Sequence, residues 1–478
     1  MPCRPNILVI VADQLAWRAL PMYGDTYAQT PNIDRIAGRA GRAVRFTDCY
    51  TPCPLCQPAR AAFWTSRYPH ETGVLSNARK HYVPGVARSL PTLGDLFADA
   101  GYTTRHVGKR HDAGSLRGFD LAPIDGIPVD AQLAWPVNYD TLQDRYATTS
   151  AVEWLHRYDG EAPYLTVVDL QNPHNICGWV GENAGEHRDV PVDVPLPPLP
   201  ANFEDADLDR RPRPVQYVCC SHNRLSQAGP WNEKNYRHYL AAYYHYLSRL
   251  DSEIGLVLDA LERRDDASST IVVFTADHGD GMASHRMVTK QVSFIEETTH
   301  VPFMVAGPDA LISGDREVTH PISLLDLLPT LCDLGSVPAE DGFRGGSLRP
   351  WLQGEPAEAP HPYVVSEWHT EWGFTIGPGR MLRTDRYKYT RYLEGDGEEL
   401  YDLAEDRGET HTLAHDPAYA DVLTEHRHLL DQQLAVTDDP FYSLSWVVDP
   451  RWRSHTVGYH NHRGPAAPMV GITSTFRG

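Results

Sequence analysis

The run Cys53-Pro-Leu-Cys56-Gln-Pro-Ala-Arg60 sets two cysteines three apart and an arginine four residues further on. Such a thiol can be half of a redox pair, a metal ligand or a nucleophile. A redox pair opens a helix at its first cysteine within a thioredoxin-like βαβ unit, and Pro54 together with Pro58 fits that poorly. A zinc site calls for a second Cys-x-x-Cys or a spaced histidine pair, which this run lacks. A nucleophile needs companions, and two apolar runs end in suitable groups: Asn6 to Ala12 leads into Asp13-Gln14, and Thr270 to Thr275 leads into Asp277-His278.

Continuous β-branched and apolar runs of this kind are central parallel strands buried on both faces, and open α/β sheets place their ligands at the carboxyl ends of such strands. Residues 164–170, YLTVVDL, read as another buried strand. Residues 89–102 read as a helix ending at Gly101, and residues 238–264 as a long amphipathic helix feeding the 270–275 strand. The expected architecture is α/β with a mainly parallel or mixed central sheet. Residues 186–214 carry seven prolines among acidic residues and read as a loop excursion. A composition shift at 355–362 places a boundary there: a catalytic domain over 1–358, then a smaller α+β subdomain over 359–478. That subdomain would hold short strands (YVVSEW, RMLRTD, RYKYTRYL), a helix at 416–435 and an aromatic and basic tail containing Trp446, Arg451, Trp452, Arg453, Tyr459, His460 and His462.

At 478 residues the chain exceeds what one core usually serves. Forty-three basic against 63 acidic residues give a net charge of −20, which argues against nucleic acid or an anionic membrane as partner. A local cluster of cations can still admit an anionic small substrate. Eight cysteines at irregular spacing form no disulfide framework, and Cys219-Cys220 read as two ordinary thiols. No signal-peptide pattern or span of about 18 apolar residues is evident, so the expected location is cytoplasmic.

Cys56-Gln-Pro-Ala-Arg60, followed by Thr65-Ser66-Arg67, resembles the C-x-P-S-R-x-x-x-L-x-T-G-R signature of the type I sulfatases of the alkaline phosphatase superfamily. Ala59, Trp64 and Ser66 replace the usual serine, leucine and glycine, while the minimal C-x-P-x-R is intact. The resemblance implies a three-layer α/β/α fold and oxidation of Cys56 to formylglycine, whose hydrate is the nucleophile. It continues through Gly108-Lys109-Arg110-His111, Asn172-Pro173-His174, Thr-Ala-Asp277-His278-Gly and Lys290, in the family's order. Singly, each of these residues has an ordinary reading as a cap, a surface lysine or a hydrogen-bonded histidine; the shared order does not.

Carried over residue by residue, the resemblance implies one divalent metal held by Asp13, Gln14, residue 56, Asp277 and His278. An oxygen-rich set with one imidazole suits a hard ion, calcium first and manganese or magnesium as alternatives. Arg60 would anchor the hydrate and neutralise charge, and Lys109 would hold hydrate and sulfate oxygens. His111 would take a proton as the sulfated intermediate breaks down. His174 and Lys290 would bind sulfate and assist the leaving oxygen, and Asn77 would add a sulfate contact. The expected activity is hydrolysis of a sulfate ester on a small molecule or oligosaccharide, with a formylglycine-generating enzyme as a transient partner and a homo-oligomer allowed. Gln14, where the family often has aspartate, keeps a phosphonate or phosphate ester hydrolase as the runner-up; a catalytically silent binder of sulfated glycans is the alternative of another class.

Overall fold

The computed structural model describes residues 4–38, 42–77, 85–122, 140–183, 195–204, 211–212, 228, 231–290, 293–356, 358–369, 378–393 and 397–443. The 186–214 excursion for the most part, Cys219-Cys220 and the aromatic tail lie outside them. Among the described residues a nine-stranded sheet runs in the order β4-β3-β5-β1-β6-β7-β2-β8, with β9 paired to β2. Its strands are β1 (Asn6–Asp13), β2 (Ala43–Tyr50), β3 (Thr103–Gly108), β4 (Asp120–Leu121), β5 (Tyr164–Pro173), β6 (Thr270–Ala276), β7 (His300–Ala306), β8 (Arg316–Val318) and β9 (Ile322–Ser323). Strand β7 pairs antiparallel with both neighbours, and every other ladder is parallel.

Ile7 to Ala12 are wholly buried, as expected of a strand with helices on both faces, and β6 is buried along its whole length. Helices Asp140–Arg157 and Glu233–Glu262 pack on this sheet. The second of them begins at an Asn232 cap whose side chain accepts from Asn235 N. The expected 89–102 helix is shorter, Leu93–Asp99, because Gly101 takes a φ of +82° and turns the chain into β3.

Because β3, β5, β1 and β6 are consecutive parallel neighbours, their carboxyl ends deliver Lys109, Asp169, Asp13 and Asp277 side by side. Asp277 N donates to Ala12 O, and Thr51 Oγ1 donates to Asp277 O at 2.6 Å, which draws the segment after β2 to the same edge. A second, four-stranded antiparallel sheet has the order β10 (Val364–Trp368), β11 (Gly379–Arg383), β12 (Tyr387–Tyr392), β13 (Glu398–Asp402). Helix Ala420–Val436 packs on it through Leu423, Leu430 and Leu434. Buried Lys388 of β12 meets Glu296, in the turn of helix before β7, at 3.1 Å and Glu409, after β13, at 2.7 Å. No described helix is long and apolar enough to cross a membrane.

Candidate active site

Cys56 opens helix Cys56–Phe63, where unpaired backbone N–H groups and the helix dipole favour negative charge. The residue is fully buried. Its Sγ lies 3.1 Å from His278 Nε2 and 3.2 Å from Lys290 Nζ. Burial alone would push the thiol up, but Lys290, Lys109 and His278 overcome it and hold Cys56 well below the ordinary thiol value. Position 56 is therefore built to carry negative charge.

The ligand atoms of Asp13, Cys56, Asp277 and His278 all lie within 4.8 Å of one another, and all four residues are buried. His278 Nδ1 lies 2.8 Å from Gly279 O, an acceptor, so Nδ1 holds a proton and Nε2 is the nitrogen that faces the cluster; burial opposes charge on this ring, while Asp277 and Cys56 push its pKa up. Burial and the charge of Asp13 push the Asp277 carboxyl up to about 7. Two carboxylates and an imidazole nitrogen, gathered this closely, fit a hard divalent cation among them.

Gln14 takes a φ of +64° at the strand end. Its Nε2 donates to Asp280 Oδ2 at 2.7 Å, and its Oε1 accepts from Lys290 Nζ at 3.0 Å and Cys177 Sγ at 3.4 Å. Asp280 thus orients the amide with its oxygen toward the pocket, a neutral donor where a carboxylate would add charge. Tyr239 completes the brace by donating to Asp280 Oδ1.

Arg60 is 1% exposed and lies beneath the cluster. Its Nε reaches Asp277 Oδ2 at 2.9 Å, its Nη2 reaches Asp13 Oδ2 at 3.0 Å, and its Nη1 pairs with Asp169. Lys109 Nζ pairs with Asp13 Oδ2.

The His111 ring faces Cys56, and burial lowers its pKa. His174 Nε2 lies 3.8 Å from Asp13 Oδ1, and Gln171 Nε2 sits 2.7 Å from His174 Nδ1. An amide nitrogen only donates, so His174 carries its proton on Nε2, facing the cluster. Burial, Lys290 and Lys109 lower its pKa to about 3, making it a neutral donor at neutral pH. Asp144 accepts from Gln171 N at 2.5 Å and Asn172 N at 3.0 Å, fixing the turn that presents His174. Asn77 Oδ1 accepts from Gln57 N at 2.8 Å, so it borders the same helix start.

Cys56, Arg60, Asp13, Gln14, Lys109, His111, His174, Asp277, His278 and Lys290 thus converge from segments spread over residues 13–290. Sequence reasoning missed Asp169, Asp280, Gln171 and Cys177. Asp169 and Asp280 stood beside motifs already read, and an acidic residue at a buried strand end was the available signal. His300 is fully buried and stacked between Trp17 at 4.5 Å and Tyr50 at 5.0 Å, away from the cluster's ligand atoms.

Sheet and cluster together define an alkaline-phosphatase-like hydrolase. The family description Sulfatase matches residues 5–337, and N-sulphoglucosamine sulphohydrolase, C-terminal, matches residues 283–435. The chain belongs to the sulfatase family and is a hydrolase of sulfuric esters. It is 49% identical over 472 residues to a Delta 4,5-hexuronate-2-O-sulfatase of Bacteroides thetaiotaomicron, covering 98% of this chain and 96% of that one. A solved 2-O GAG sulfatase superposes with a TM-score of 0.89 at 47% identity, over 98% of this chain and 100% of the other. The phosphonate monoester hydrolase of Agrobacterium radiobacter, at 22% identity and a TM-score of 0.75 over 93% and 98% of the two chains, shares the fold.

Proposed function

We propose that this protein removes the 2-O-sulfate from an unsaturated (Δ4,5) hexuronate residue of a sulfated glycosaminoglycan fragment, with residue 56 matured to formylglycine. The observation that carries the reading is near-full-length identity of 49% to a sulfatase of that specificity, joined to a buried Cys56 ringed by Lys290, Lys109 and His278.

The Cys56 sulfur marks the place that the hydrate oxygens of formylglycine would take. That hydrate supplies a nucleophilic hydroxyl and a second hydroxyl through which the aldehyde is regenerated as sulfate leaves. Asp13, Gln14, residue 56, Asp277 and His278 would hold one divalent cation, calcium by the hardness of the donor set, with manganese or magnesium as alternatives. When bound, the cation lowers the proton affinity of the nucleophile and offsets charge on the sulfate oxygens.

The chain's own groups divide the remaining tasks. Lys290 Nζ, 3.2 Å from Cys56 Sγ, neutralises charge on the transferring sulfate and its leaving oxygen. His174, neutral with its proton on Nε2, gives the sulfate or leaving oxygen a hydrogen bond. His111, held neutral by burial, accepts the hydrate proton when the sulfated intermediate collapses. Lys109 fixes Asp13 and adds positive charge beside the nucleophile. Asn77, whose Oδ1 accepts from Gln57 N, would offer its amide N–H to a sulfate oxygen.

Mass spectrometry of the peptide spanning residue 56, on protein co-expressed with a formylglycine-generating enzyme, is expected to read a loss of about 18 Da from the thiol form. The matured protein should then desulfate an unsaturated 2-O-sulfated disaccharide with far higher kcat/KM than its 6-O-sulfated isomer. Equal rates on the two isomers would refute the positional reading. A higher kcat/KM on an aryl phosphonate ester would favour the runner-up that Gln14 motivates. An unmodified Cys56 with saccharide binding but no turnover would favour a silent binder.

A further inference from the structure

Asp169 occupies the carboxyl half of β5 and is 1% exposed. Its side chain pairs with Arg60 Nη1. Its main-chain oxygen accepts from Lys109 N at 2.9 Å. The closeness of the second contact is enforced next door: Gly108 has a φ of +100°, and a Cβ there would stand 1.9 Å from Asp169 O. One residue therefore anchors the side chain of one cation and the backbone of the other.

Those two cations converge on a single oxygen. Arg60 Nη2 and Lys109 Nζ both bind Asp13 Oδ2, which turns Asp13 Oδ1 toward Cys56 Sγ at 3.9 Å and His174 Nε2 at 3.8 Å. Arg60 Nε likewise takes Asp277 Oδ2, while Oδ1, which accepts from Gln14 N at 3.0 Å and His278 N at 2.9 Å, lies 3.8 Å from His278 Nε2. The guanidinium thus takes one oxygen of each ligand carboxylate and leaves the other on the cluster side. A guanidinium placed between Asp13 and Asp277 alone would spend its whole charge on them. The third carboxylate shares that charge, and its other oxygen, Asp169 Oδ1, has no hydrogen-bond partner. The His106 ring beside it, 3.5 Å from Oδ2, is also buried with both nitrogens unbonded.

We propose that Asp169 is a positioning residue of the metal site: by holding Arg60 and Lys109 in place and sharing the charge of Arg60, it leaves Asp13 and Asp277 the geometry and negative charge that a divalent cation requires. The inference rests on the metal role proposed above for Asp13 and Asp277. Partners one layer behind metal ligands commonly tune affinity by about 10–100-fold.

The test is calorimetric titration of Mn²⁺ and Ca²⁺ into the metal-stripped full-length protein and its Asp169→Asn form, prepared in the same maturation state. The Asn side chain keeps the shape and removes the charge. We expect the Kd for both ions to rise about 10–100-fold. We also expect kcat of the variant to recover substantially as metal is raised, which a loss of packing alone would not produce. Affinities within about twofold of the wild type would overturn the inference. A wild-type protein that binds neither ion would instead overturn the metal reading beneath it. If the Asn chain does not fold, Asp169→Ser reads the same Kd, because its smaller side chain leaves room for water on Arg60.

Discussion

Two buried arginines in this protein stand among carboxylates, and the two regions they govern differ in how the charges balance. Around Arg60 stand Asp13, Asp169 and Asp277, with Lys109 as the second cation on Asp13. Around Arg380 stand Asp439, bound through two nitrogens at 2.6 and 2.7 Å, and Glu367, with His70 as the second cation. His70 Nδ1 meets Glu367 at 2.8 Å and Nε2 meets Thr437 O at 3.0 Å. Both partners only accept, so both ring nitrogens carry protons. Burial opposes that charge, but Glu367 pushes His70 up to about 9.

The Arg380 region thus sets two cations against two carboxylates, and His70, Glu367 and Asp439, though spaced like metal ligands, are already occupied by Arg380 and the imidazolium. The Arg60 region pairs three carboxylates with two cations, sets Lys290 against Cys56, and turns Asp13 Oδ1, Asp277 Oδ1 and His278 Nε2 to one point. Buried charge alone does not mark a site; a surplus of carboxylates whose oxygens face one point does.

The largest expected effect tests the first region. Cys56→Ala should lower kcat for sulfate release by roughly 10⁴-fold or more while leaving the unfolding midpoint close to the parent; full activity in that variant would sink the mechanism. Glu367→Gln tests the second region in the opposite sense. Breaking a buried pair should cost about 3–5 kcal/mol in urea unfolding, with kcat per folded molecule within about twofold; a large kcat loss without destabilisation would dissolve the contrast.

A smaller effect follows from His70. Because its folded pKa lies above the ordinary 6.5, its stabilisation is fully present below about pH 6.5 and is lost as pH rises through about 9. The loss should approach about 3 kcal/mol across that window, and the slope of stability against pH should flatten in His70→Gln. An unchanged slope would refute the imidazolium assignment.

The smallest effect lies between the regions. Burial and Glu367 push the Cys53 thiol well up, so it is an inert filler. Cys53→Ala should change stability by about 1 kcal/mol and leave both kcat and the oxidation of residue 56 in place; loss of that oxidation would make Cys53 part of the maturation signal.

Much of this site was legible because its residues lie in short local motifs at strand ends, where apolar runs stop at Asp13 and Asp277. The parallel sheet followed from the same runs, and the strands around YVVSEW, RMLRTD and RYKYTRYL correspond to β10, β11 and β12. What was not legible depends on pairing between distant segments. Asp169 gains its meaning from Arg60, 109 residues away, and Asp280 from Gln14, 266 residues away. Strand β13 is absent from the sequence reading, because its partner is set by the β12 hairpin and its pattern alone is weak. The mixed character of the sheet turns on β7 alone, whose reversed direction has no local signature.

The burial of helix Cys56–Phe63 carries a consequence for the order of events in making this protein. Cys56, Pro58, Ala59 and Arg60 are all buried, with Arg60 locked into three ion pairs. An enzyme that reads Cys-x-Pro-x-Arg in extended form can engage none of them once the sheet has closed. On the proposed maturation of residue 56, the burial favours oxidation before folding, while the motif is still open to a modifying enzyme.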